Sequence, residues 1–184
     1  MKSVSYLLNF FKFKAALTTL SLASAALTFT AESGCADDQV PFRAAWGAQI
    51  QIAPLVPPVV SVTGAGTGHG LHLGQMVAQS VVEVVNLATG EGAASYRFTA
   101  ANGDAVLVDF VFTAVPTGST TFSVHGVWQI TGGTGRFNGA SGSGHYLGQV
   151  EFSGPATAVG RFELEGTLSS PGRLKQGPLP SPAG

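Results

Sequence analysis

The feature that most constrains this chain of 184 residues is a period-two alternation of apolar and polar side chains, repeated through its middle. Phe42, Ala44, Trp46, Ala48, Ile50 and Ile52 point one way, and Arg43, Gly47, Gln49 and Gln51 the other. That period is the mark of a half-buried strand. Pro54, Pro57 and Pro58 break the run, and similar runs follow at 59–65, 71–85, 93–100, 104–114, 120–131, 144–152 and 159–169. Turn residues separate most of them, and Asn102-Gly103 between two apolar runs is the strongest short hairpin signal. No stretch after residue 40 combines a helical period with caps. The pattern predicts an antiparallel all-β domain, and a closed eight-stranded antiparallel β-barrel and a two-sheet sandwich both satisfy it. The 25 glycines favour the barrel, since tight curvature is made with Gly kinks and bulges. Closure also removes sheet edges, which few charges guard here: only 10% of residues are charged.

The same low charge bounds function. With 9 Lys+Arg against 10 Asp+Glu, no excess of base is available to neutralise phosphates, which excludes a nucleic-acid partner of the usual basic type. One Cys excludes an internal disulfide and any multi-Cys metal site.

The two ends differ from the middle. Lys2, Lys12 and Lys14 precede an apolar, small-residue run from 15 to 31, the layout of a secretory signal peptide. Residues 1–36 are therefore expected to be a signal peptide, with an uncleaved anchor as the alternative. Cleavage fits after Ala25 or after Ala36. A third arrangement resembles a bacterial lipoprotein signal, in which Ser33-Gly34 precede Cys35 and Cys35 is lipidated. Glu32 stands where that signal has an aliphatic residue. Cutting after Ala36 takes the acids from 10 to 9 (Glu32 lost) and the bases from 9 to 6 (three Lys lost), a net charge of −3. Residues 171–184 carry four Pro and are expected to be a disordered tail. The β-barrel domain is then 37–170. The expected location is secreted or periplasmic, with a lipid on Cys35 as the only attachment to a membrane.

Alternation also assigns faces. Strict parity on 71–85 puts His72, Met76, Ala78, Val82 and Val84 inside and Gln75, Gln79 and Glu83 outside. Elsewhere the interior collects Trp46, Tyr96, Phe98, Phe110, Phe112, Phe122, Trp128, Tyr146, Phe152 and Phe162. An eight-stranded barrel is just wide enough to be filled by side chains or to hold one small ligand, so these rings either fill it or line a site. The polar interior reduces to His72, Tyr96 and Tyr146, with no paired carboxylate for acid–base chemistry. His72, Tyr96, Trp128 and Tyr146 are the candidate ligand-binding residues. His69 and His72 point oppositely by parity, and His125, His145 and Glu151 lie on the outer face. No metal and no cofactor is expected.

Three phrases carry a resemblance: Gly68-His69-Gly70-Leu71-His72-Leu73-Gly74, Thr99-Ala-Ala-Asn-Gly-Asp104, and the Gly-rich 130–144 with Gly132-Gly133-Thr134-Gly135-Arg136-Phe137. In this order they resemble a bacterial group of exported barrels similar to the allene oxide cyclase barrel-like, or dirigent-like, proteins. The resemblance implies an eight-stranded barrel and no particular reaction. Read as residues, Asn102-Gly103 and the 132–135 glycines are turn formers, since no P-loop or dinucleotide spacing is present. Arg136 is expected to pin its loop by stacking or by pairing with a carboxylate.

The leading expectation is an exported, non-catalytic small barrel that binds a small apolar or aromatic molecule in its mouth or serves as an envelope structural protein. The alternative is a cyclase or isomerase acting on a reactive hydrophobic substrate, with His72 or Tyr146 assisting. Outward Leu107 and Val111 suggest a partner or a homo-oligomer.

Overall fold

The computed structural model describes residues 39–169. The expected signal segment, Cys35 and the expected tail lie outside the described residues.

Eight strands follow one another around a closed barrel: β1 (Gln39–Pro54), β2 (Val59–Gly70), β3 (Gly74–Asn86), β4 (Glu91–Ala100), β5 (Ala105–Pro116), β6 (Thr121–Gly133), β7 (Gly142–Gly154) and β8 (Thr157–Ser169). Each pairs antiparallel with its neighbour in sequence, and β1 with β8 closes the ring. The sandwich is thereby set aside. Closure gives every strand a ladder on both sides, which spares a nearly uncharged sheet the hazard of an open edge.

The inward faces are those that alternation predicts on β1, β4, β5, β6, β7 and β8. Phe42, Ala44, Trp46, Ala48 and Ile50 are buried on β1, and Ala94, Tyr96, Phe98 and Ala100 on β4. Rings cross the barrel axis and touch. Trp46 meets Phe98 at 5.0 Å and Phe162 at 5.3 Å between ring centroids, and Phe110 meets Tyr146 at 4.8 Å. Facing glycines make the space: a Cβ on Gly148 or Gly160 would stand 2.3 or 2.4 Å from the Phe162 ring. The axis is thus filled with aromatic side chains opposed by bare backbone.

Two corrections concern β2 and β3. The Gly-rich stretch 66–70, expected to connect strands, continues β2, with Gly66 opposite Ala48 and Gly70 opposite Ala44. The reversal therefore falls on residues 71–73, where His72 (φ 69°) and then Gly74 (φ 66°) take left-handed backbone. His72 is a turn residue, not an interior one. The second correction is a one-residue bulge. Ser80 pairs with Tyr96 but Val82 with Ser95, and the register against β2 shifts over the same stretch, so Val81 has no partner on either side. A bulge inverts the alternation beyond it. Val82 turns outward, 46% exposed, and Glu83 and Val85 turn inward in its place.

The two ends of the barrel are unlike. At the end holding the β2–β3, β4–β5 and β6–β7 turns, Phe42, Phe98, Val106, Val108 and Leu168 are fully buried. A 3₁₀ turn, Gly135–Phe137, lays Phe137 over that end, equally buried. The phrases around Asn102 and Gly133 meet there. Asn102 Nδ2 donates to Asp104 Oδ2 at 2.8 Å, the Ala105 N–H donates to Thr134 Oγ1 at 3.0 Å, and Arg136 stands 3.6 Å from Asp104 and over the Phe137 ring. Arg136 pins the loop by both expected means. At the opposite end the inward residues Ile52, Val85, Ala114, Phe122, Val150 and Phe152 are only partly covered. This end forms a partly covered apolar mouth, and at the first end Val40, Ile130 and Ala140 are covered to a similar degree.

Candidate functional site

Glu83 is brought inside the barrel by the bulge, one inward-facing position, about 7 Å, below Val85 at the mouth. Its neighbours are apolar or small: Ala94 across the ladder on β4, and on β2 the inward-facing Val62 and Gly64, where the register shifts. Tyr96 supplies the one polar contact, its hydroxyl donating to Glu83 Oε2 at 2.8 Å. Gly64 makes that contact possible, because a Cβ there would lie 2.6 Å from the Tyr96 hydroxyl. The Gly64 N–H in turn donates to Ser80 Oγ at 2.7 Å, which satisfies a backbone group that the bulge leaves without a ladder partner.

The electrostatics follow from burial. Removal from water pushes the Glu83 carboxyl up from 4.5 to about 7, and the hydrogen bond from Tyr96 only partly offsets this. Tyr96 is raised well above the ordinary phenol value, first by burial and then by the Glu83 charge, Tyr146 and its own hydrogen bond to Glu83. Tyr146 is raised by burial and by Glu83. The three groups therefore share one electrostatic neighbourhood. Among the described residues there is no Lys, and Arg43, Arg97, Arg136 and Arg161 all lie on the exposed surface. Near neutral pH this site is poised between a neutral acid, which can donate, and a lone carboxylate.

The residues singled out from the sequence divide into three groups. Tyr96 and Tyr146 both lie inside beneath the mouth, each packed on Trp46 and Phe110. Trp128 is interior but belongs to the sealed end, packed on Phe42 at 5.6 Å with its indole N–H donating to the His145 carbonyl at 2.9 Å. Its polar atom is satisfied, so its place is structural. His72 sits at that same end, in the turn, its Nε2 3.1 Å from the Pro41 carbonyl. It does not line the interior. Cys35 lies outside the described residues. On the outer wall His145 is opposite Glu165 and His125 is opposite Leu147, and no group of three metal-ligating side chains occurs among the described residues.

Glu83 is the residue that parity missed. Val81, Val82, Val84 and Val85 surround it, so either register buries valine and the sequence holds no local preference. Trp46 adds one further feature: its indole N–H is buried in the ring cluster without a hydrogen-bond partner. A shallow concavity of about 680 Å³ also opens on the outer wall, between Thr67, Leu147, Gln149, Arg161 and Glu163. It gathers an exposed arginine and glutamate, with Trp46 and Phe162 at its base.

No protein-family model and no curated protein matches this chain. Among solved structures it is similar to the pterocarpan synthase dirigent protein, at 12% identity and a TM-score of 0.38, over 84% of this chain and all of that one.

Proposed function

We propose that this chain is an exported barrel whose open mouth binds a small apolar or aromatic molecule against Glu83 and Tyr96. One observation carries the reading: a carboxyl and a phenol, hydrogen-bonded to each other and, among the described residues, to no other side chain, sit beneath a partly uncovered apolar rim, while Phe137 plugs the other end. Ligand sites are mostly apolar with a few convergent polar groups, and the mouths of small barrels are a common place for them. A filled ring cluster below the site gives the ligand a rigid floor. The phrases that resemble the dirigent-like barrels build the sealed end, so they support a shared barrel and not a shared ligand.

The test is saturable binding of small neutral aromatics such as benzyl alcohol, read by thermal shift and by chemical-shift changes. Binding is expected to move the signals of Val85, Ala94 and Phe122 and to be lost in Val85→Trp, which fills the mouth. A panel that shifts neither the melting temperature nor these signals would overturn the proposal.

A second reading is favoured by the position of the Glu83 carboxyl near neutrality, where a group best serves as both acid and base. On that reading the site moves a proton in a hydrophobic substrate, as a cyclase or isomerase would. Glu83→Gln then abolishes turnover and keeps binding. His72, at the far end, takes no part.

A further inference from the structure

Resting on the mouth as a binding site, we infer that its ligand class is the organic ammonium ion: a small aromatic or aliphatic amine whose charge is held by Glu83 and whose apolar part rests on the rim and the rings beneath. The geometry supplies three reasons. First, Glu83 uses one carboxyl oxygen for Tyr96, while Oε1 has no hydrogen-bond partner among the described residues, and the residue keeps part of its surface open to solvent. A primary ammonium can donate to that oxygen in a charge-assisted hydrogen bond. Second, every group facing Glu83 is neutral or acidic. On its own strand these are Ser80 and Val85, on β2 Val60, Val62 and Gly64, on β4 Ala94 and Tyr96, and across the barrel Tyr146. A buried acid with no cation is costly when ionised, and a ligand that brings the cation removes that cost. Third, the hydrocarbon part of an amine meets an apolar, only partly covered rim made by Ile52, Val85, Phe122 and Phe152.

Protonation and binding are coupled with a definite sign. Below neutrality Glu83 carries a proton, supported by the rise of its carboxyl to about 7. An ammonium that binds must expel that proton to solvent, so its affinity grows as pH rises. Between pH 6 and pH 8 the ionised fraction of the free site increases about tenfold, and affinity for an amine that stays charged over that range follows it. A neutral ligand that accepts a hydrogen bond from the protonated acid shows the opposite trend.

The experiment titrates the folded chain with benzylammonium and with benzyl alcohol from pH 6 to pH 8, by calorimetry. Benzylammonium is expected to bind more tightly than the alcohol at pH 8 and to gain about tenfold over the range. Glu83→Gln should remove both the preference and the pH dependence, with an unchanged circular dichroism spectrum and cooperative unfolding reporting that the barrel is intact. Tyr96→Phe should keep the preference for the amine, since the carboxylate remains. If the alcohol binds but the amine binds no better at pH 8, or if the preference survives in Glu83→Gln, the ammonium assignment is overturned and the mouth remains a site for neutral ligands. If neither probe binds the native chain, both proposals fall.

Discussion

At the scale of single residues, Glu83 is the most consequential side chain in the barrel. Its carboxyl titrates at 4.5 when unfolded and near 7 when folded, so between these values the folded state holds the extra proton. Stability is then complete below about 4.5, declines as pH rises from there through about 7 and levels off above it, the reverse of the usual carboxylate. The full loss corresponds to at most about 3 kcal/mol, because each tenfold change in proton affinity is worth about 1.4 kcal/mol. Glu83→Gln should therefore match the native chain at pH 4.5 and exceed its stability at pH 8 by up to that amount, as measured by urea denaturation across the range. An unchanged pH dependence in the variant would place the titration elsewhere. Gly64 is the second such position. Gly64→Ala must displace the Tyr96 hydroxyl, which stands 2.6 Å from the new methyl group, and should break its bond to Glu83. A displacement of the Tyr96 ring signals together with a lowered melting temperature would report it. The period-two rule made Tyr96 and Tyr146 legible as interior phenols, but it placed Glu83 outside and His72 inside, because both readings assumed that β3 begins at residue 71 and never skips a step.

At the scale of elements, the bulge and the plug decide what the barrel presents. The bulge at Val81 holds two valines on the outer face and re-aims the strand beyond it. Deleting Val81 makes β3 regular and still leaves Glu83 facing in, so the pH dependence of stability should persist in the deletion variant. Its loss would mean that the bulge itself, and not only its parity, seats the carboxyl. The plug is the 3₁₀ turn with Phe137, tied to the β4–β5 hairpin through Thr134 and Asp104. Phe137→Ala should cost about 3–5 kcal/mol in urea denaturation, as truncation of a fully buried ring usually does. Arg136→Met should cost under about 1 kcal/mol, because its ion pair with Asp104 is long, at 3.6 Å, and partly exposed. A Phe137 variant as stable as the native chain would show that the sealed end does not depend on its plug. Here the sequence signalled the turns themselves, Asn102-Gly103 and the glycines of 132–135, but not that the two turns meet, since their contact spans two strands.

At the scale of the whole molecule, closure and polarity of the barrel are the organising facts. Seven of the eight ladders join neighbours in sequence, and the pairing of β1 with β8 is the one that must bring distant segments together, a non-local step that makes folding a matter of milliseconds to seconds rather than microseconds. Protection from hydrogen exchange should be graded along the axis: slowest for Val106, Val108 and Leu168 at the sealed end, fastest for Val85, Ala114 and Val150 at the mouth. Uniform protection, or a sealed end that opens first, would contradict the assignment of the mouth.

The sequence by itself determined the strands, their number, the direction of nearly every ring and the choice of an all-β shell, because these depend on a local period and on turn chemistry written in adjacent residues. Only the tertiary structure decided that one end is plugged and the other open, that Trp128 serves the plug, that His72 stands in a turn and that a carboxyl lies within. Those outcomes depend on register, and a single unpaired residue, Val81, shifts register in a strand whose valines satisfy either face equally well.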